Sequence, residues 1–392
     1  MHKTTLKQTN TQTTREGRFK QHPARKTSEN PFERDGQEPN KSLPDIVHEV
    51  DVDSAAVEAQ ALDDIYGEAK STHQLFKLTD LSRVRSMKLE HDHLSACIKQ
   101  ISPSASMRRL VRAEKHQVDA VVKLTEKYKN FSSFLLDYLA PQINLQAAMG
   151  EAFCLPNFCL VGPPGIGKTA MLSELAEVLG IGSDVFDASS LQASHVLNGL
   201  SHNFATADFG LIFKTMMLEK SHQTGELRPA NALICVDEVE KVGKSDHYGS
   251  ILDLMLTLLE QRTAARFVDA ALPELPLNLS ALNWCFTSNS LDALSAPLRS
   301  RLIAIDIPPP THDQSIEIAA SIFAERIERI AGRIPNTPDL LFDDLERLAA
   351  FPPRQQKQLI EHGIARAVWE ERETVVIEAN VASLVHRKIG FL

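Results

Sequence analysis

The sequence predicts an α/β domain built on a parallel sheet, followed by a smaller helical domain. Short apolar runs stop abruptly at polar residues. Asn157 to Val161 stops at Gly162, Ala232 to Val236 at Asp237, and Leu282 to Thr287 near Asn289; Leu302 to Ile307 is a fourth run. Helical patterns separate most of them, one being Leu252, Met255, Leu256 and Leu259. Such alternation indicates strands covered on both faces of a parallel sheet. Polar residues cluster just after the runs, where open α/β sheets bind ligands.

The chain has 392 residues, enough for one to three domains, with 43% apolar and 24% charged residues. The first forty residues hold only Met1, Leu6, Phe19, Ala24 and Phe32 as apolar side chains. Residues 1–45 are therefore expected to form a disordered basic and polar tail, unable to offset the entropy of ordering. Its basic bias is shared by mitochondrial transit peptides, but Thr-Gln-Thr runs do not make an amphipathic helix. Residues 46–112 are expected to be helical, with weak patterns over 54–70 and 72–101. Val121, Leu124, Tyr128, Phe131, Leu135 and Tyr138 form one apolar stripe at helical spacing. The α/β domain is placed at 113–309, closing at Pro308-Pro309-Pro310, since proline removes a backbone donor. Two further stripes follow in 310–392: Ile316, Ala319, Phe323, Ile327, Ile330, and then Ile360, Ile364, Ala367, Val368.

Composition excludes several classes. No run approaches the ~20 apolar residues of a membrane helix, and no apolar signal-peptide run opens the chain. Five cysteines are too few for a disulfide scaffold, and Cys159, Cys235 and Cys285 lie in apolar runs that read as buried strands. A reducing, cytoplasmic setting is expected. The net charge of −9 argues against nonspecific nucleic-acid binding. Arg108, Arg109, Arg112 and Lys115 read as a solvated helix face. His91, His93 and Cys97 fall short of the roughly four ligands zinc takes, and a helix surface is expected there.

Gly162-Pro163-Pro164-Gly165-Ile166-Gly167-Lys168-Thr169, followed by Ala170, fits G-x-x-x-x-G-K-[ST] in full. An apolar strand precedes it, and a helix with Met171, Leu172, Leu175, Ala176 and Leu179 follows. Such a loop curls its N–H groups around phosphate at a helix N-terminus. Lys168 is expected to reach the β/γ-phosphates, and the Thr169 hydroxyl to hold Mg²⁺. Asp237, ending the second strand, is placed for the Mg²⁺ shell, and Glu238 to deprotonate the attacking water. The cofactors expected are ATP and Mg²⁺.

With these residues the sequence resembles an AAA+ ATPase, a P-loop NTPase class, and within it the ATPase module of Lon proteases. The resemblance rests on Leu160 to Thr169, Ile234-Cys235-Val236-Asp237-Glu238-Val239-Glu240-Lys241-Val242-Gly243, Leu279 to Ser290, and Pro297-Leu298-Arg299-Ser300-Arg301-Leu302. It implies that Asn289 is sensor 1 and Arg301 an arginine finger reaching a neighbouring subunit, with Arg299 the competing candidate. It implies that Arg354 is sensor 2, although Pro352 and Pro353 depart from the family pattern. Residues 310–392 would be the helical lid. Phe204 falls where the family has a pore-lining aromatic, with a buried structural ring as the competing reading. A trans-acting arginine implies a ring, expected to be a homohexamer. The Ser–Lys peptidase that follows the module in Lon has no counterpart before Leu392, so no intrinsic peptidase is expected. Two outputs follow: a motor that remodels a protein substrate and could feed a separate peptidase, or a nucleotide-switched assembly protein acting through residues 1–112. A DNA-directed role ranks below both.

Overall fold

In a computed structural model the described residues are 72–220, 225–242, 251–334 and 336–377. The expected tail, the 54–70 pattern and the last residues of the chain lie outside them.

Five parallel strands form the sheet: β3 (Phe158–Val161), β4 (Ser183–Asp187), β5 (Leu233–Asp237), β6 (Asn283–Ser288) and β7 (Ile303–Asp306), ordered β4-β5-β6-β3-β7. The central strands are apolar because both faces are covered. Leu160, Cys235 and Cys285 pack against α3 (Lys115–Lys127) and α5 (Lys168–Val178) through Val121, Leu124, Met171, Leu172 and Leu175. Cys159, Val161, Ile234, Val236 and Phe286 point the other way, onto α6 (Ile251–Leu258) through Met255. Burying a side chain of this size stabilises by about 1.5–3 kcal/mol. The three cysteines are buried free thiols.

The edges depart from the sequence expectation. The run Leu302 to Ile307, expected to be a buried strand, forms β7 at the sheet edge, where Ile303 is 44% exposed. The opposite edge, β4, carries no apolar run in the sequence, since only Phe186 of Ser-Asp-Val-Phe-Asp is buried. The stripe from Val121 to Tyr138 is not one helix. α3 stops before Tyr128 (φ −110°, ψ 64°), a 3₁₀ turn follows, then a π-helical turn over Phe134–Leu139 leads into α4 (Ala140–Met149).

The described part of 46–112 holds α1 (Leu78–Ser86), α2 (Asp92–Gln100), and a two-stranded antiparallel sheet of β1 (Thr72–Gln74) and β2 (Met107–Arg109). Leu75, Phe76, Leu81, Leu94 and Ile98 share one core with the sheet residues Ile234 and Phe286. The basic patch is not a solvated helix face. Arg108 lies on β2, buried, donating to Met216 O, and burial lowers its pKa to about 10.

After the sheet come α7 (His312–Ile330), α8 (Phe342–Ala349), α9 (Pro353–Trp369) and a short parallel pair, β8 (Asp339–Leu340) with β9 (Thr374–Val375). Ala319, Leu348, Ile360, Ile364 and Val375 form their core. α7 starts with a capping box between Thr311 and Gln314. Lys127 bridges Glu174 on α5 and Glu325 on α7, and Lys129 pairs with Glu317. Among the described residues no helix is long and apolar enough to cross a membrane.

Candidate active site

The loop from Gly162 to Gly167 links β3 to α5. Gly167 caps α5 with φ +100°, a conformation that strains any residue with a Cβ. This turn directs the first N–H groups of α5 into a cavity of about 500 Å³. Pro164 through Ala170, Asp237, Glu238, Asn289 and Arg354 line it. Gly162 and Pro163 lie behind, their carbonyl oxygens accepting from Lys168 Nζ at 2.7 and 3.1 Å. Lys168 Nζ also donates to Asn289 Oδ1 at 3.3 Å. Burial lowers the Lys168 pKa, against the pull of Asp237, Glu240 and Glu238.

Thr169 Oγ1 donates to Asp237 Oδ1 at 2.6 Å, and Thr287 Oγ1 donates to the same oxygen at 2.5 Å. A hydroxyl and a carboxylate side by side are the hard oxygen donors that Mg²⁺ takes, usually with phosphates and waters. The donor set therefore fits the ion. Thr287 Oγ1 also accepts from Glu238 N at 2.9 Å, holding Glu238 in a left-handed backbone conformation (φ 53°). A non-glycine residue there is a local outlier of the kind functional sites retain. The Glu238 carboxylate pairs with Lys241.

Arg354 comes from the first turn of α9. Its N–H donates to Gly165 O at 3.2 Å, tying the helix to the phosphate loop. Pro352 and Pro353 fit this position, since proline suits the first turn of a helix. Arg301 is not in the cavity: its guanidinium pairs with Glu260, Nη2 to Oε1 at 2.9 Å. Arg299 Nη2 donates to Leu291 O at 2.7 Å and Leu294 O at 3.4 Å, so backbone carbonyls occupy it.

Sequence reasoning missed the other end of the cavity. Tyr128 packs its ring about 3.8 Å from where a Gly167 Cβ would stand, and its hydroxyl donates to Glu174 at 2.8 Å. Burial, then Glu174, raises its pKa. Asn130, Ile318, Ile322 and Lys357 complete this wall. The break at Tyr128 turns the ring toward the loop, which periodicity alone does not reveal.

Phe204 stands on a separate loop and is 54% exposed, so it is not a core residue. Leu200 and Asp208 bridge the loop's base. At its root Gly199 has φ +81°, and a Cβ there would stand 2.1 Å from Asp269 Oδ1. Asp269 is fully buried and accepts from Gly210 N and Ala271 N, each at 2.9 Å. Burial raises its pKa to about 7, against those two bonds. The expected helix surface at His91 and His93 is instead a contact. His91 Nε2 donates to His202 O at 3.0 Å, and His93 Nε2 to Ala207 O at 2.8 Å. Carbonyls only accept, which fixes both donors.

The model of the ATPase family associated with various cellular activities (AAA) matches residues 158–308. A Lon protease of Borrelia duttonii is 29% identical over 168 residues, covering 43% of this chain and 19% of that protein. Lon protease 4 of Sorangium cellulosum is 30% identical over 250 residues, covering 62% and 29%. The chain thus spans under a third of the length of these relatives. A Thermotoga maritima RuvB branch migration motor overlays with a TM-score of 0.40 at 15% identity, covering 70% of this chain and 69% of that one, too loose to bear on function. Residues 158–308, with the phosphate loop at one end of β3 and the acidic pair at the end of β5, match the AAA family, and this part of the chain is similar to the ATPase module of Lon proteases.

Proposed function

We propose that the chain hydrolyses ATP with Mg²⁺ at the interfaces of a ring, most simply a homohexamer, and uses the cycle to remodel a protein substrate. The observation that carries this reading is convergence in one cavity. Lys168, the Thr169–Asp237 pair, Asn289 and Arg354 reach it from the phosphate loop, two strand ends and α9. In this reading Lys168 and the N–H groups of α5 bind the β/γ-phosphates, while Thr169 and Asp237 hold the metal. The ion would neutralise charge on the phosphate oxygens. Glu238 takes the proton of the attacking water once it has left Lys241. Arg354, linked to Gly165, transmits the state of the phosphates to the helical domain. Arg301 leaves Glu260 to serve a neighbour, where a guanidinium stabilises charge developing on the phosphoryl group. Phe204, exposed on its own loop, grips substrate side chains without sequence preference.

One observation favours the nucleotide-switched alternative. The Glu238 carboxylate is engaged by Lys241, and were that pair kept, the proton acceptor would be blocked while nucleotide could still bind. ATP turnover measured against protein concentration separates the two. A motor shows activity that rises cooperatively, disappears in Glu238→Gln, and is poisoned by adding Arg301→Ala protein to wild type. ATP binding with negligible turnover at every concentration selects the switch.

A further inference from the structure

We infer that Glu240 is a positioning residue that fixes the polarity of the Asn289 side chain, so that Asn289 presents its carbonyl oxygen, not its amide nitrogen, to Lys168 and the phosphate end of the cavity. The inference rests on the ATPase reading above and deepens it.

An asparagine amide has two faces of opposite character: oxygen accepts and nitrogen donates. Which face points into a site decides what it does there. Glu240 Oε1 accepts twice from one residue, from Asn289 N at 3.0 Å and from Asn289 Nδ2 at 2.7 Å. A carboxylate only accepts, so the nitrogen is drawn toward Glu240 and Oδ1 is left facing Lys168 Nζ, 3.3 Å away. A bond to the backbone alone would cap the strand end. The second bond acts on the side chain and sets its χ2.

Glu240 is not part of the cavity wall, whereas Asn289 is. The carboxylate therefore acts through Asn289 and touches no phosphate itself. Its other oxygen, Oε2, is buried and accepts no hydrogen bond. Buried polar atoms are almost always paired, because a desolvated acceptor without a donor is unfavourable. A carboxylate kept half-satisfied beside the phosphate loop is placed for orientation rather than for stability. Its place in the chain fits this. The 3₁₀ turn Val239–Lys241 begins one residue after β5 ends at Asp237 and buries Val239, so Glu240 is anchored by the residue before it.

The polarity has a chemical consequence. Facing the cavity, Oδ1 accepts either an ammonium proton of Lys168 or a proton of the attacking water. In the second case the water turns a lone pair toward phosphorus while Glu238 takes its other proton. A reversed amide would offer an N–H there and orient the water with its lone pair away from phosphorus.

The test is steady-state ATP hydrolysis with ADP affinity measured in parallel, on the full chain at one protein concentration. Glu240→Ala is expected to lower kcat about 10–100-fold, the range that positioning of a general-base step supplies. KM for ATP and the ADP affinity stay within about three-fold. Glu240→Gln, whose carbonyl oxygen still accepts both bonds, is expected to recover most of kcat. In the Asn289→Ala background, Glu240→Ala is expected to add little, since its target is gone. Three results overturn the inference: wild-type kcat in Glu240→Ala, an ADP affinity loss as large as the kcat loss, or an undiminished effect in the Asn289→Ala background. If Glu240→Ala does not fold, Glu240→Asp decides, because it keeps the charge and withdraws the oxygen by one methylene; wild-type kcat there overturns the inference. If wild type itself binds ADP but does not hydrolyse ATP, the ATPase reading fails and takes this inference with it. The other three results leave that reading standing.

Discussion

At the phosphate end of the cavity the loop is fixed from close along the chain, and the ends of β5 and β6 complete the site. Lys168 Nζ reaches back to Gly162 O and Pro163 O, and Thr169 bonds Asp237 at the end of β5, with β6 lying between β5 and β3 in the sheet. The loop from Gly199 to Gly210 is held from far away. His91 and His93 grip it from more than a hundred residues upstream, and Asp269 holds its root from about sixty residues downstream. The phosphate loop, made from one strand, one turn and one helix, is specified locally, and only its partners Asp237 and Asn289 come from other strands. A loop that must present an exposed ring at a set place borrows its rigidity from the rest of the fold.

The comparison breaks first at the phosphate end. Lys168→Ala is expected to weaken nucleotide binding about 100-fold, the scale of losing charge-assisted bonds to phosphate, read by titration with a fluorescent ADP analogue. Amide exchange at Leu200, Phe204 and Ala207 should not change; if it does, the two regions are one cooperative unit. Next comes Asp269→Ala, which leaves the Gly210 and Ala271 N–H groups buried without acceptors. Urea unfolding should show a loss of about 2–4 kcal/mol.

Asp269 also gives the loop root a pH dependence. Its pKa is raised to about 7 in the fold, above the ~3.9 of an unfolded chain. Between these values the folded state holds more protons, so this group's contribution to stability is full below about pH 4 and is lost as pH rises through about 7. The stability of Asp269→Asn relative to wild type should therefore increase from pH 5 to pH 8 and then level. A flat difference would mean that the carboxylate is already ionised at pH 5. The smallest effect is expected from His91→Ala combined with His93→Ala. Two lost side-chain bonds, each worth about 1 kcal/mol, should speed amide exchange in the loop about 10-fold or more. Nucleotide affinity should stay at the wild-type value.

These contrasts also explain what could be read from the sequence. The phosphate loop, Asp237 and the four apolar runs were legible because motif and strand lie together in the chain. β4 was not, since an edge strand with one buried residue carries no apolar run. The Tyr128 wall was hidden in a stripe that looked like one helix, because residues after the break keep a similar spacing in 3₁₀ and π turns. His91 and His93 looked like surface residues, for nothing local states that a loop a hundred positions on needs two donors. Arg108 reads as solvated because a charged residue is seldom buried, and the acceptor it meets, the Met216 carbonyl, lies across the fold.

The lysines before and after Tyr128 have a consequence for how long nucleotide stays. Lys127 and Lys129 meet Glu325 and Glu317 of α7 at 3.3 and 2.7 Å, with side chains partly open to solvent. Exposed pairs of this kind are worth at most about 1 kcal/mol and are screened by dissolved salt. The phosphate end is instead lined by the N–H groups of the loop and by buried Lys168, which dissolved salt screens less. If nucleotide binds here as proposed, ionic strength is therefore expected to act as a throttle on its residence: raising it should loosen the clasp on the helical domain and shorten occupancy, while the preference for a polyphosphate tail should persist.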